Sequence, residues 1–288
     1  MRYVTRFAPS PTGPLHLGHA YSALTAFERA QARDGAFHLR MDDGDTARCR
    51  PEWEALIYAD LRWLGITWAD PVHHVTARGD IYDAALSRLE ALGLLYPCGC
   101  RRRDIHNALS APQEGVPVDP ATGPDGMVYP GTCRTRSMPS ARDGDAVRLN
   151  MTRAVAHLGD VCALTWMETG PFGTGQQRLN ADQLRTGVGD IVLSRRERGG
   201  AAYHLTVVLD DAALGVTEAV RGMDLAEATQ IHRLLQALLD LPTPDYHHHD
   251  LIRDAQGKRL AKRADAKAIS KFRDEGLTPQ DVRAMVGL

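Results

Sequence analysis

The densest run of potential chemistry lies near the start of the chain, in Arg6-Phe7-Ala8-Pro9-Ser10-Pro11-Thr12-Gly13-Pro14-Leu15-His16-Leu17-Gly18-His19. His16 and His19 stand three apart, which places them on one face of a first helical turn. That turn is the positive end of the helix dipole and carries free backbone N–H groups. Gly18 lets a ligand come close to the backbone. Together these features suit a polyphosphate. A lone His-x-x-His would be an ordinary structural pair, but this one sits inside a fourteen-residue string.

A second candidate lies near the other end. The chain has 34 basic residues, only four of them lysine: Lys258, Lys262, Lys267 and Lys271. Between Arg253 and Arg273 there are eight basic and two acidic residues, a local net charge of +6 in a chain whose total is −2. Such a patch can hold a polyanion. A third candidate is Cys98-Gly99-Cys100, followed after 32 residues by Cys133, three thiolates that need one more ligand to make a zinc site. His106 is the chemically usual fourth partner. Cys49 and Cys162 have no sequence partner, and His247-His248-His249 is expected to be structural, since adjacent side chains point in different directions. Asp43 and Asp45 are weak candidates for a metal site or an acid/base pair.

The elements that must position these groups alternate. Tyr3 to Phe7 suits a strand, and Pro9, Pro11, Gly13 and Pro14 forbid regular structure after it. Leu17, Tyr21, Leu24 and Phe27 have helical spacing, and Phe37 to Met41 suits a second strand. Pro51 opens a helix that ends at Gly65, and another ends at Gly93. Alternating strands and helices predict a parallel α/β sheet. Eleven of the 34 residues from Ala111 to Gly144 are Pro or Gly, which breaks the pattern and marks an insert. Asp190–Leu193, Tyr203–Leu209 and Val216–Val220 are predicted strands. Asp224 and Glu227 are predicted to box a helix bearing Ile231, Leu234, Leu235 and Leu238, and Thr278-Pro279 to open a short one.

Composition sets the outer limits. At 43% hydrophobic and 24% charged, 288 residues can bury a sizeable core. No run of 18 apolar residues is present, so no membrane span is expected. The start lacks the apolar run of a signal peptide, and five Cys, an odd number, argue against a disulfide framework, so the cytoplasm is the expected location.

The fourteen-residue string resembles the HIGH region of class I aminoacyl-tRNA synthetases, in the form used by glutamyl-tRNA synthetases. Further stretches match in order: Arg40-Met41-Asp42-Asp43-Gly44-Asp45, Tyr203–Asp211 as a strand, Val216–Asp224, and Gly257-Lys258-Arg259-Leu260-Ala261-Lys262-Arg263. The chain then stops without an anticodon-binding domain. With the cysteine pattern, this resembles the glutamyl-Q tRNA(Asp) synthetases, a family that transfers glutamate to the queuosine base of a tRNA.

The resemblance implies an α/β fold with a Rossmann-type core at 1–95 and 196–240. A zinc-containing insert facing tRNA would occupy 96–195, and a KMSKS-like loop with a helical C-terminal part 241–288. It implies ATP, with magnesium, bound by His16, Gly18, His19 and Lys262, with His16, His19 and Lys262 catalytic. Arg259 stands where KMSKS has its first Lys, and Ala261 where it has Ser. L-glutamate would meet Arg6, Phe7, Ala8, Pro9, Ser10, Asp42, Tyr203 and Arg221, at least one of the two arginines facing its side-chain carboxylate. Asp42 replaces the family's Glu and is one methylene shorter. Tyr129, four residues before Cys133, matches the family's fourth zinc ligand, against His106 on general chemistry. Class I activation needs no protein base, because the substrate carboxylate is the nucleophile. The expected partners are ATP, glutamate and tRNA, the expected state a monomer. Three alternatives remain: a glutamyl-tRNA synthetase charging a 3′ end, an adenylate-forming ligase acting on a small molecule, and a non-catalytic RNA-binding paralogue.

Overall fold

A computed structural model describes residues 2–110, 121–195, 200–252 and 267–288. In chain order its elements are β1 (Val4–Phe7), α1 (Leu17–Gln31), β2 (Ala36–Met41), α2 (Pro51–Trp63), β3 (Ala69–His74), α3 (Gly79–Ala91), β4 (Leu95–Cys98) and α4 (Arg102–Ser110). Then follow the short hairpin β5 (Thr122–Gly123) and β6 (Gly126–Met127), β7 (Ala146–Leu149), α5 (Met151–Leu158), β8 (Thr165–Glu168) and β9 (Gly175–Arg178). The remainder is β10 (Val192–Arg195), β11 (Gly200–Ala201), α6 (Tyr203–Ala213), β12 (Glu218–Gly222), α7 (Thr229–Leu238), β13 (Asp245–His249), α8 (Ile269–Asp274) and α9 (Pro279–Val286).

β1, β2 and β3 form a parallel sheet, with Val4 opposite Ala36 and Phe7 opposite Leu39. α1 lays Ala20, Ala23, Leu24, Phe27 and Ala30 on it, at helical spacing. Gly35 makes the return into β2 possible, since a Cβ there would lie 2.6 Å from the Tyr3 carbonyl oxygen. β12 runs beside the other edge of β1: Thr217 N–H donates to the Val4 carbonyl at 2.9 Å. β12 pairs in parallel with β13, and β13 with β8, whose antiparallel partner is β9. β8 and β9 therefore join the sheet of β12 although they fall within 96–195. A separate antiparallel sheet has the order β11-β10-β7-β4. One apolar core lies under β1, β2 and α1, reaching α2, α8 and α9, and a second lies between the antiparallel sheet and α3, α5, α6 and α7.

Two sequence expectations are corrected. Tyr203–Asp211 is helix, not strand. α6 packs against α3, α7 and β10, and His204 to Val208, Asp210 and Asp211 are all buried. A helix enclosed on nearly every side shows no 3.6-residue polarity rhythm. The helical cost of Thr206, Val207 and Val208 is only tenths of a kcal/mol each, roughly, and burial outweighs it. Asp224 and Glu227 do not box α7: Met223–Leu225 form a short 3-10 turn, and α7 begins after Ala228 with no side-chain cap. At the C-terminal end, Thr278 and Asp281 do form a reciprocal cap for α9.

Candidate active site and metal centre

His16 is the N-cap of α1. Its Nδ1 accepts from Gly18 N–H at 3.1 Å, and His16 N–H donates to His19 Nδ1 at 3.2 Å. The two rings stack with centroids 3.8 Å apart. Glycine at 18 leaves room for this arrangement, because a Cβ would lie a tight 3.1 Å from the His16 ring and push it aside by a few tenths of an ångström. Each neutral ring spends its Nδ1 lone pair on the backbone, so its proton sits on Nε2. Two N–H donors and the helix N-terminus are thereby concentrated in one turn, a preorganised acceptor for phosphate oxygens.

Both histidines line a cavity of about 380 Å³ at the C-terminal ends of β1, β2 and β12, where parallel sheets bind ligands. Arg6, Phe7, Ala8, Gly18, Asp42, Tyr203 and Arg221 line it too. Pro9 and Ser10 do not. Pro9 accepts from Asp42 N–H through its carbonyl, and Ser10 Oγ donates to Asp42 Oδ2 at 3.2 Å, so both act by placing Asp42. Burial raises the Asp42 pKa, with Arg40 and the Ser10 hydroxyl opposing that rise. A cation arriving at this carboxylate would favour its charged form. The residues before and after 253–266 border the same cavity: His249 to Ile252 line it, Ala268 bridges His16, and Ile269 N–H donates to the Leu15 carbonyl at 2.8 Å. Lys262 and Arg259 lie outside the described residues. A second cavity, about 390 Å³, shares Asp42, Val75, Tyr203 and Thr206 with the first.

The buried arginines differ in how their charge is met. Arg6 donates from Nε to Asp211 Oδ1 at 2.8 Å and from Nη2 to Oδ2 at 3.0 Å. Arg40 donates to Asp211 Oδ1 at 2.6 Å. Arg78 and Tyr82 donate to Asp210 at 2.7 and 2.9 Å. Burial pushes the Asp211 pKa up, but Arg6 and Arg40 outweigh it and hold the carboxyl below its ordinary value. The hydrogen-bonding partners of Arg221 are neutral acceptors: His248 Nε2 at 3.0 Å, His232 Nδ1 at 2.9 Å and Thr229 Oγ1 at 2.7 Å. No carboxylate among the described residues pairs with Arg221, and a buried guanidinium so placed is suited to a carboxylate ligand.

Cys98, Cys100 and Cys133 bring their Sγ atoms within 4.8 Å of one another. The Tyr129 hydroxyl lies 3.3 Å from both Cys98 Sγ and Cys100 Sγ and accepts from Cys133 N–H at 2.9 Å. Cys100 and Cys133 are 3.6 Å apart, close to the roughly 3.8 Å edge of a tetrahedron with zinc–sulfur bonds of about 2.3 Å. Burial pushes the Cys133 thiol up, but hydrogen bonds from Tyr129 and Gly99 N–H bring it down to about 7, favouring the thiolate that binds metal. The donor set of three sulfurs and a phenol oxygen fits a structural zinc ion. His106 is exposed on α4 and is not part of this cluster. His247, His248 and His249 diverge to separate partners: Thr169, Glu168 and the Asp250 carbonyl.

The family described as tRNA synthetases class I (E and Q), catalytic domain, matches residues 2–117 and 180–288. A glutamyl-Q tRNA(Asp) synthetase of Rhodobacter capsulatus is 54% identical over 288 residues, 99% of this chain and 100% of that protein. The chain belongs to the glutamyl-Q tRNA(Asp) synthetase family. A family member from Methylococcus capsulatus is 38% identical over 269 residues, covering 93% of this chain and 78% of that one. The fold is that of a glutamate tRNA ligase from Elizabethkingia meningosepticum, with a TM-score of 0.76 at 23% identity. This chain is matched over its whole length and spans 61% of that ligase. No helix among the described residues is long and apolar enough to cross a membrane.

Within this glutamyl-Q tRNA(Asp) synthetase family member, sequence reasoning missed Arg40, His204, Asp210, Asp211 and His232, and read His249 as structural only. The Arg40–Asp45 run was visible, but its first residue carried no assigned role. His249 lines the cavity with a buried Nε2 that has no hydrogen-bond partner among the described residues. The other residues are distant in sequence from the groups they serve, and no local spacing marks them.

Proposed function

We propose that this chain activates L-glutamate with ATP and transfers the glutamyl group to the queuosine base of tRNA(Asp). The observation that carries the reading is Arg221, charged and met by neutral acceptors, in the same cavity as the His16–His19 cap. In the first step a glutamate carboxylate oxygen attacks the α-phosphorus of ATP, the bond to the β-phosphate oxygen breaks, and pyrophosphate leaves. In the second an acceptor hydroxyl oxygen attacks the acyl carbon, AMP leaves, and the hydroxyl proton passes to solvent. The His16 and His19 Nε2–H groups and Lys262 stabilise charge on the phosphates, and magnesium accompanies ATP. Arg221 takes the side-chain carboxylate and Asp42 the α-ammonium, with Tyr203 forming a wall. Residues 1–95 and 196–240, with Lys262 from the 241–288 part, supply this chemistry, and the part of 96–195 outside β8 and β9 faces the tRNA. The protein works as a cytoplasmic monomer.

The test is ATP–pyrophosphate exchange dependent on glutamate, with and without tRNA, followed by nuclease mapping of the glutamyl ester. An ester in the anticodon fragment supports the reading. An ester at the 3′ end identifies a conventional charging enzyme, and exchange without any tRNA product points to a small-molecule acceptor.

Asp42→Asn is expected to raise the KM for glutamate at least about tenfold, roughly 1.4 kcal/mol of lost ammonium binding. Unchanged glutamate kinetics would remove Asp42 from the amino-group contact. We also propose that Cys98, Cys100, Tyr129 and Cys133 hold one structural zinc ion. Metal analysis should find about one zinc per chain, as one such site requires. Cys100→Ser should lose it. Tyr129→Phe should weaken retention against a chelator while His106→Ala leaves it intact, and the reverse result would reassign the fourth ligand.

A further inference from the structure

Arginine only donates hydrogen bonds, so both imidazole nitrogens that meet Arg221 must present lone pairs. For His248 that is Nε2, and its Nδ1–H points to Glu168 Oε2 at 2.5 Å. For His232 it is Nδ1, 2.9 Å from Arg221 Nη1. The His232 proton therefore sits on Nε2 and is donated to His204 Nδ1 at 3.2 Å. His204 then carries its own proton on Nε2, which faces Asp125 Oδ1 at 3.4 Å. A chain of two imidazoles with fixed direction thus runs from the cavity arginine on β12, through α7 and α6, to the turn of the β5–β6 hairpin. Tyr203 packs edge-on against both rings, at 5.4 Å from His204 and 5.8 Å from His232.

We propose that His232 is the positioning residue for the amino-acid side chain: its Nδ1 lone pair, fixed by His204 and Asp125, aims Arg221 and leaves the guanidinium charge available to an incoming carboxylate. A carboxylate at this place would neutralise Arg221 as Asp211 neutralises Arg6. An apolar residue would strand a buried N–H. Burial and the neighbouring guanidinium both disfavour the charged form of His232, consistent with its acceptor role. The consequence is selectivity for an anionic over an uncharged side chain, glutamate over glutamine. This inference rests on the reading of Arg221 as the side-chain contact.

Two near-isosteric replacements separate the ends of the chain. Asparagine places an acceptor oxygen where Nδ1 stands and drops the link to His204. Glutamine reaches the Nε2 position and lacks the acceptor at Nδ1. His232→Leu should raise the glutamate KM about thirtyfold, with kcat and the ATP KM within about threefold. His232→Gln should resemble it, and His232→Asn should recover all but about fivefold. The Leu variant should also narrow the preference for glutamate over glutamine in pyrophosphate exchange. Equal glutamate KM values for the Asn and Leu variants, or kcat and the ATP KM moving in step with it, would overturn the proposal. Arg221→Leu separates the two levels. An unchanged glutamate KM there defeats the reading of Arg221 and the inference with it. A raised KM there, with His232→Leu unchanged, defeats the inference alone. Thermal unfolding checks that each variant folds. If none at position 232 does, His204→Phe leaves the Arg221 contacts in place and should raise the glutamate KM about fivefold, with His204→Asn restoring it. An unchanged KM in His204→Phe would then overturn the proposal.

Discussion

Asp211→Asn is expected to cost about 3–5 kcal/mol of folding stability, the range for breaking a buried ion pair from one side. The Asp211 carboxylate accepts from two guanidinium groups, Arg6 on β1 and Arg40 on β2, each nearly inaccessible to solvent. Asparagine keeps the shape but replaces one oxygen by a donor that faces another donor. Both arginines stay buried, and the carboxylate nearest to Arg40 becomes Asp210, at 3.8 Å. Urea unfolding should show a lower midpoint at unchanged slope, and a loss below about 1 kcal/mol would contradict the assigned role. The pH dependence has a definite sign. The folded pKa of Asp211 is held below its ordinary 3.8, so its contribution is fully present above the unfolded value and is lost as pH falls through the folded one. The gap between the two proteins should therefore close in acid.

Lys262→Ala should lower adenylate formation by about 10²–10³, the cost of removing one preorganised charge stabiliser. The expectation comes from the match of Lys262 to the second Lys of KMSKS. The described residues on either side of its segment border the site: Ile252 lines the cavity and Ala268 bridges His16. An ammonium acting on charge that develops during pyrophosphate departure affects the transition state more than ground-state ATP, so the ATP KM should move far less. Single-turnover adenylate formation measures this directly. Activity within about threefold of wild type would remove Lys262 from the chemistry.

What the sequence made legible was local. His16, Gly18 and His19 carry their geometry within four residues, so a helix N-terminus suited to phosphate could be read before any fold was known, although His16 proves to be its cap rather than part of its first turn. The same holds for Pro51 at the start of α2 and for Thr278-Pro279 at the start of α9. Tyr129 beside the cysteines was implied by the family resemblance alone, since general zinc chemistry pointed to His106. The misreading of α6 has a physical cause: full burial erases the polar face that betrays a helix. The charge pairs were illegible for a different reason. Arg6 and Asp211 are 205 positions apart, and Arg40 and Asp211 are 171 apart. Each looks in sequence like an ordinary surface charge, and only the packing of α6 against the sheet shows where the arginines are neutralised. His232 and His204 were hidden likewise, since a lone histidine on an apolar helix gives no hint of its partner 28 residues away.

β12 lies along β1, and Arg6 Nη1 donates to the Val220 carbonyl, 214 positions later, at 3.2 Å. On the ribosome the first strand therefore emerges long before the strand that covers its edge. At about 5–20 residues per second the wait is roughly 10–40 s. During it, Arg6 and Arg40 have no Asp211 to enter the interior with, and burying them unpaired is costly. The nascent N-terminal half must keep those guanidinium groups in water, so the nucleotide-binding end of the sheet closes only after α6 and β12 have been made. The enzyme's cleft is accordingly a late product of translation, although the histidines that mark it are among the first twenty residues to leave the exit tunnel.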